Sequence, residues 1–304
     1  MTRDTASRSA NALVRATVLL CIVLSVLGCA ATAGVAPGQV EAALPSDATA
    51  YVTFRPERLG PSFERLIASF GVDTDEISDV LQRSERIIAA IGVDGEPNAF
   101  FAVAEGSYPA GWVRMGLSLS RSWRRENAPS AGRYARYYQE RNGPSQIAVP
   151  SSRVLVFSNG RVAQMLQGLG AFSSGPDVLT LDPTAELGVR LPRITPELRS
   201  RLPREVRSLP FETVELLIHG REDDPDAYTI SGDVGFTTEQ AAQVFNVVGR
   251  LVIATLAEGV DRRDISVERT ERRIRFDGMR VTDDTLAGWI DGFSDALGGT
   301  ETEL

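Results

Sequence analysis

The spacing of apolar residues changes period several times along the chain, and each change marks a predicted element. "LPSDATAYVTFRP", Leu44 to Pro56, predicts a strand closed by proline. Phe63, Leu66, Ile67 and Phe70 then recur at i, i+3, i+4 and i+7. After the loop "GVDTDE", the set Ile77, Val80, Leu81, Ile87, Ile88 and Ile91 continues in helical register. Asp73 and Glu76 stand at capping-box spacing before this second helix, which accounts for the acidic cluster better than a calcium loop does. "AFFAVAEG" reads as a buried strand. In "GWVRMGLSLS", Val113, Met115, Leu117 and Leu119 alternate with Trp112, Arg114, Gly116 and Ser118, the period-two pattern of a half-exposed antiparallel strand. The longest predicted helix is "TTEQAAQVFNVVGRLVIATLAEGV", Thr237 to Val260. Thr237 and Gln240 form its capping box, and Val244, Phe245, Val248, Leu251, Val252 and Leu256 share one face.

The second half of the chain echoes the first. "TAELGVRLP" matches the opening strand, "ITPELRSRLPREVRSL" supplies a helical segment, "VELLIHG" matches "AFFAVAEG", and "DAYTISGDVGF" matches "GWVRMGLSLS". "VFSNGRV" (Val156 to Val162) and "RFDGMRV" (Arg275 to Val281) each read as a strand, a glycine turn and an Arg-Val opening a helix. Val162, Met165, Leu166 and Leu169 line one of these helices, and Leu286, Trp289, Ile290 and Phe293 the other. The expected fold class is therefore α+β, with two similar units of antiparallel sheet, each covered on one side by helices, arising by internal duplication. The expected division is residues 44–175 for the first unit, 176–298 for the second and 299–304 for a disordered tail.

Residues 1–43 follow a different rule. A leader carrying Arg3, Arg8 and Arg15 precedes the apolar run Ala16 to Leu27. That run is little more than half of the roughly 20 residues a bilayer span requires, so it reads as the core of a signal peptide covering residues 1–28. Val26-Leu27-Gly28-Cys29 resembles the lipobox of bacterial lipoproteins, with Leu27 standing where a small residue is common. The resemblance implies cleavage before Cys29, acylation (palmitate among the chains) of that cysteine, and a membrane anchor. "AATAGVAPGQVEAA", Ala30 to Ala43, is too rich in small residues to bury a core, so residues 29–43 are expected to be a flexible tether. Ala30 stands where an aspartate retains lipoproteins in the inner membrane of enterobacterial-type cells, which points to the outer membrane, facing the periplasm. The opening "LPSDATAYV" and the two-part pattern also resemble uncharacterised bacterial secreted and lipoprotein families, a resemblance that names no activity.

Composition narrows the chemistry. Cys21 and Cys29 are the only cysteines, so a chain cleaved before Cys29 has no thiol for an intrachain disulfide or a cysteine metal site. All 32 basic residues are arginine. Removing the leader's three arginines and Asp4 leaves 29 against 39 acids, a net charge near −10 that repels nucleic acid. The single histidine, His219, lies on the opposite face of its strand from Val214, Leu216 and Ile218 and reads as a surface residue. No G-x-S-x-G elbow, H-E-x-x-H or phosphate-binding loop occurs. Paired carboxylates, with Glu215 and Asp233 among many candidates, remain the enzymatic alternative, a carboxylate-dependent hydrolase. "REDDPD", Arg221 to Asp226, lacks calcium-ligand spacing and reads as a hairpin connection. No metal or cofactor is expected.

One stretch stands out as a candidate binding surface. From Arg114 to Arg141 the chain carries seven arginines interleaved with aromatic residues; Arg114, Arg121, Trp123, Arg124, Arg125, Arg133, Arg136 and Tyr137 are the candidate contacts. Guanidinium forks pair with phosphate or carboxylate, and aromatic faces stack on sugars or lie against acyl chains. Anionic lipid, glycan or an acidic envelope protein would suit such a surface. The competing reading is a solvated loop whose arginines pair with neighbouring acids. The expected function is a lipid-anchored envelope protein acting as a non-catalytic binding or structural module, with a lipid or lipoprotein carrier holding an apolar cavity as the further alternative.

Overall fold

The computed structural model describes residues 40–58, 74–93, 96–171, 175–176, 185–201, 207, 210–221, 224, 227–256 and 265–288. The strands are β1 (Ala50–Phe54), β2 (Ser84–Val93), β3 (Glu96–Gly106), β4 (Trp123–Asn127), β5 (Arg136–Glu140), β6 (Gln146–Ser151), β7 (Val154–Ser158), β8 (Ala185–Leu191), β9 (Phe211–Gly220), β10 (Ala227–Phe236), β11 (Ser266–Thr270) and β12 (Arg273–Thr282). The helices are α1 (Thr74–Arg83), α2 (Ala110–Leu119), α3 (Val162–Ala171), α4 (Pro196–Arg201) and α5 (Glu239–Leu256), with a further helical stretch at 283–288.

These strands form one antiparallel sheet of twelve, in the order β11-β12-β10-β9-β8-β1-β2-β3-β7-β6-β5-β4. The expectation of two sheets is therefore wrong. The two halves meet edge to edge where β1 pairs with β8, with Tyr51 opposite Arg190, Val52 opposite Val189, Thr53 opposite Gly188 and Phe54 opposite Leu187. Outward from this seam, β1-β2-β3-β7-β6 has the same connectivity as β8-β9-β10-β12-β11, and β5 and β4 extend one end only. The counterpart of β9 is thus β2, and that of β10 is β3, one element away from the alignment expected from sequence.

The first half, moreover, carries helices on both faces, whereas the described helices of the second half pack on one. Side chains of alternate parity form two cores on opposite faces of the sheet. On one face, Val52, Ile87, Ala89, Leu187, Ile230, Phe236, Phe276 and Val281 pack with α1, α2, α4, α5 and Leu286. On the other, Tyr51, Ile88, Ala90, Phe101, Val103 and Val156 pack beneath α3, whose Val162, Met165, Leu166 and Leu169 are buried as expected. A 3-10 turn at Val40–Ala43 joins this second core, so the last four residues of the expected tether are packed against the body.

Three local readings change for identifiable reasons. Ile87, Ile88 and Ile91 lie in β2, not in a helix; a strand covered on both faces is apolar throughout and loses its period of two. Gly278 is not a turn but sits within β12 at φ +82°, where one extra residue, at Asp277–Gly278, shifts the register against β10. The cap of α5 is Thr238, whose Oγ1 accepts from Ala241 N at 3.1 Å, while Thr237 Oγ1 donates to Pro210 O. Ala241, Ala242 and Phe245 pack on the core, Phe245 5.1 Å from Phe236 between ring centroids, whereas Val244 is exposed. The expected helix at Phe63–Phe70, the leader, the side chains of Asp73 and Glu76, Trp289, Ile290, Phe293 and the tail lie outside the described residues, as do the side chains of Val248, Leu251, Val252 and Leu256.

Candidate contact surface

"GWVRMGLSLS" is a helix. Read as α2, its Val113 and Leu117 fall one turn apart and pack on the core, with Ala110 one turn before, while Trp112, Met115 and Leu119 fall on the outward stripe. Apolar residues on two sides of a ten-residue helix produced the false alternation. Trp112 is 73% exposed, Met115 46% and Leu119 76%, and only Val244 and Val247 of α5 join them as exposed large apolar side chains among the described residues.

The helix is fixed at several points. Gly106 ends β3 so close to Arg83 that a Cβ would meet its carbonyl oxygen at 2.0 Å. Tyr108, buried just before α2, shares a 2.8 Å hydrogen bond with Ser84 Oγ, which in turn reaches Val80 O. Mid-helix, Arg114 donates from Nε and Nη2 to Val149 O at 3.1 and 2.5 Å, and Tyr138 Oη donates to Arg114 O. The exposed stripe is held on a rigid platform.

Burial pushes the Tyr108 phenol up to about 12, with Glu105 and Glu85 adding to the effect and the Ser84 hydrogen bond opposing it. Folding therefore favours the protonated form. The associated stability is intact below pH 10, where the unfolded phenol begins to ionise, and is lost as pH rises toward 12. About two pKa units correspond to up to ~2–3 kcal/mol. Denaturant titrations between pH 9 and 12 should show a steeper decline for the native chain than for Tyr108→Phe; equal slopes would contradict this origin.

Strand register sorts the arginine-rich stretch. Tyr138 points toward α2, and its partner across β4–β5 is Arg125; Trp123 opposite Glu140 and Asn127 opposite Arg136 share that parity. Arg125 and Arg136 are exposed beside α2, Trp123 is half-buried, and Arg121 is exposed in the bend after the helix. Arg124 projects to the other face, where it pairs with Glu126 at 3.0 Å, and Tyr137 packs there against the second core. The side chain of Arg133 lies outside the described residues, and Arg114 is engaged with backbone carbonyls. The fold thus gathers Arg121, Arg125 and Arg136 beside the apolar stripe. The sequence hides that stripe because the segment's alternation mimics a strand, although Pro109 and the i, i+4 pair Val113 and Leu117 signal a helix.

Two other features lie elsewhere. On the polar face of the second half, a row across five strands reads Arg190, Glu215, Asp233, Arg275, Glu268. Glu215 is 3.4 Å from Arg190, and Asp233 is 3.7 and 3.8 Å from Arg273 and Arg275. The two carboxylates named from sequence are cross-strand neighbours within this ion-paired ladder. His219 lies on the same face with Nε2 3.4 Å from Ser231 Oγ. A cavity of about 410 Å³ lies between residues 42–47, α3 and residues 175–176, lined largely by small and polar groups including Ser46, Asp47, Gln164 and Gln167. Among the described residues no group of three or more His, Cys, Asp or Glu could hold a metal ion, and no helix is long and apolar enough to cross a membrane.

No protein-family model matches the chain, and no curated protein matches it significantly. Solved structures of TP0453 are similar in fold. Crystal form I is 18% identical with a TM-score of 0.59, covering 86% of this chain and 98% of that one; crystal form IV is 17% identical with a TM-score of 0.58, covering 85% and 98%. At such identity the likeness is one of fold alone.

Proposed function

We propose that the chain is a lipid-anchored protein of the cell envelope, held through Cys29 at the outer membrane and facing the periplasm, and that its body is a non-catalytic binding module whose contact surface is α2 with the adjoining β4–β5 hairpin. The observation that carries this reading is the stripe Trp112, Met115 and Leu119, the larger of the two groups of exposed large apolar side chains among the described residues, flanked by Arg121, Arg125 and Arg136. Large apolar side chains beside unburied cations mark contact sites more often than they decorate a free surface. The lipobox Val26–Cys29 supplies the anchor.

One acyl chain binds a membrane only marginally, and two or more hold it. Cys29→Ser should release the body from the membrane fraction or leave the leader uncleaved. A variant that is both cleaved normally and still retained on membranes would refute the anchor.

A further inference from the structure

We infer that the partner of the α2 surface is an anionic phospholipid membrane, on which α2 lies in the plane of the interface; this rests on the lipid-anchored reading above. Charge supports this occupant. The chain has a net charge of −8, yet residues 114–141 hold seven arginines and only two acids, Glu126 and Glu140, so this is the part of an acidic protein that an anionic surface attracts.

Geometry supports it too. Trp112, Met115 and Leu119 follow i, i+3 and i+7 along α2, so the stripe runs about 10 Å along the helix axis. Its opposite face is committed to the core through Val113 and Leu117. A helix so placed can sink a tryptophan, a methionine and a leucine to the level of the headgroups and upper acyl chains without leaving the sheet. Arg121, Arg125 and Arg136, on the same side, would stand at phosphate depth.

The experiment uses the full lipidated chain reconstituted into phosphatidylcholine vesicles with brominated acyl chains, with or without about one-third phosphatidylglycerol. Quenching of tryptophan fluorescence is compared between the native chain and Trp112→Phe, since Trp123 and Trp289 remain in both. In anionic vesicles the native chain should be quenched at least twofold more than Trp112→Phe. Replacing Arg121, Arg125 and Arg136 with glutamine should remove most of that difference, as should high salt, because each cation near an anionic surface is worth roughly fivefold in partitioning. Equal quenching of the native chain and Trp112→Phe, with the protein still floating with the vesicles, would overturn the docking proposal and leave the anchor intact. Trp112 shielded from aqueous acrylamide but not reached by brominated lipid would also overturn it, assigning the surface to a protein partner or a second copy. Failure of the chain to float with vesicles at all would refute the anchor reading instead.

Discussion

Phe101→Ala should cost about 3–5 kcal/mol and should do so in one transition that removes both halves together. Phe101 is fully buried in β3, with Ala90 and Ser158 as its strand partners, and it packs in the core beneath α3 with Met165 and Leu166. Truncating a phenylalanine in such a site removes its transfer free energy and leaves a cavity that close-packed neighbours fill only partly. Because β1 pairs with both β2 and β8, a loss in the first half weakens the seam on which β8 depends. Urea unfolding followed by circular dichroism and by limited proteolysis should give coincident midpoints. Protection that survives from β8 to β12 after the first half is cleaved would show that the seam does not couple them.

Arg86→Met should cost roughly 2–4 kcal/mol, although arginine to methionine conserves most of the volume. Arg86 donates from Nε to Glu105 Oε2 at 2.6 Å and from Nη2 to Glu41 Oε1 at 2.9 Å. The side chains are only 26%, 24% and 15% exposed for Arg86, Glu105 and Glu41. Removing the cation leaves two mostly buried carboxylates to repel each other without compensation, which is more costly than never having had the pair. The penalty is set slightly below that of a fully buried pair because water still reaches the group. Glu41→Gln in the Arg86→Met background should recover part of the loss, and a double-mutant cycle measures it. Additive losses would mean that Arg86 and Glu41 do not interact across the start of the body. Glu41 belongs to the 3-10 turn Val40–Ala43, so this clasp ties that turn to β2 and β3.

Elements with one exposed face were legible in the sequence. α3 shows its buried stripe in full, and β12 alternates only up to its bulge, beyond which Gly278 reads as a turn and Arg280-Val281 as the start of a helix. Reading failed where both sides of an element are apolar. β2 is covered on both faces and mimicked a helix; α2 is packed on one side and carries an apolar stripe on the other, and it mimicked a strand. The joining of the halves was hidden for a different reason. β1 and β8 each read as an ordinary strand, and nothing local in either distinguishes a sheet edge from a central seam. The arginines of the candidate surface could be named from composition, but their division between the two faces of β4–β5 depends on register with Tyr138, which only the three-dimensional arrangement supplies.

The reading of this protein as a membrane-tethered module depends most directly on Cys29, and mass spectrometry of the N-terminal peptide from the membrane-extracted chain tests it. The expected product is a mature chain that begins at Cys29 and carries a diacylglyceryl thioether, its first tryptic fragment heavier than its sequence by the mass of the diacylglyceryl group. A mature N-terminus at another residue, or an unmodified Cys29 in a chain cleaved before it, would contradict the account.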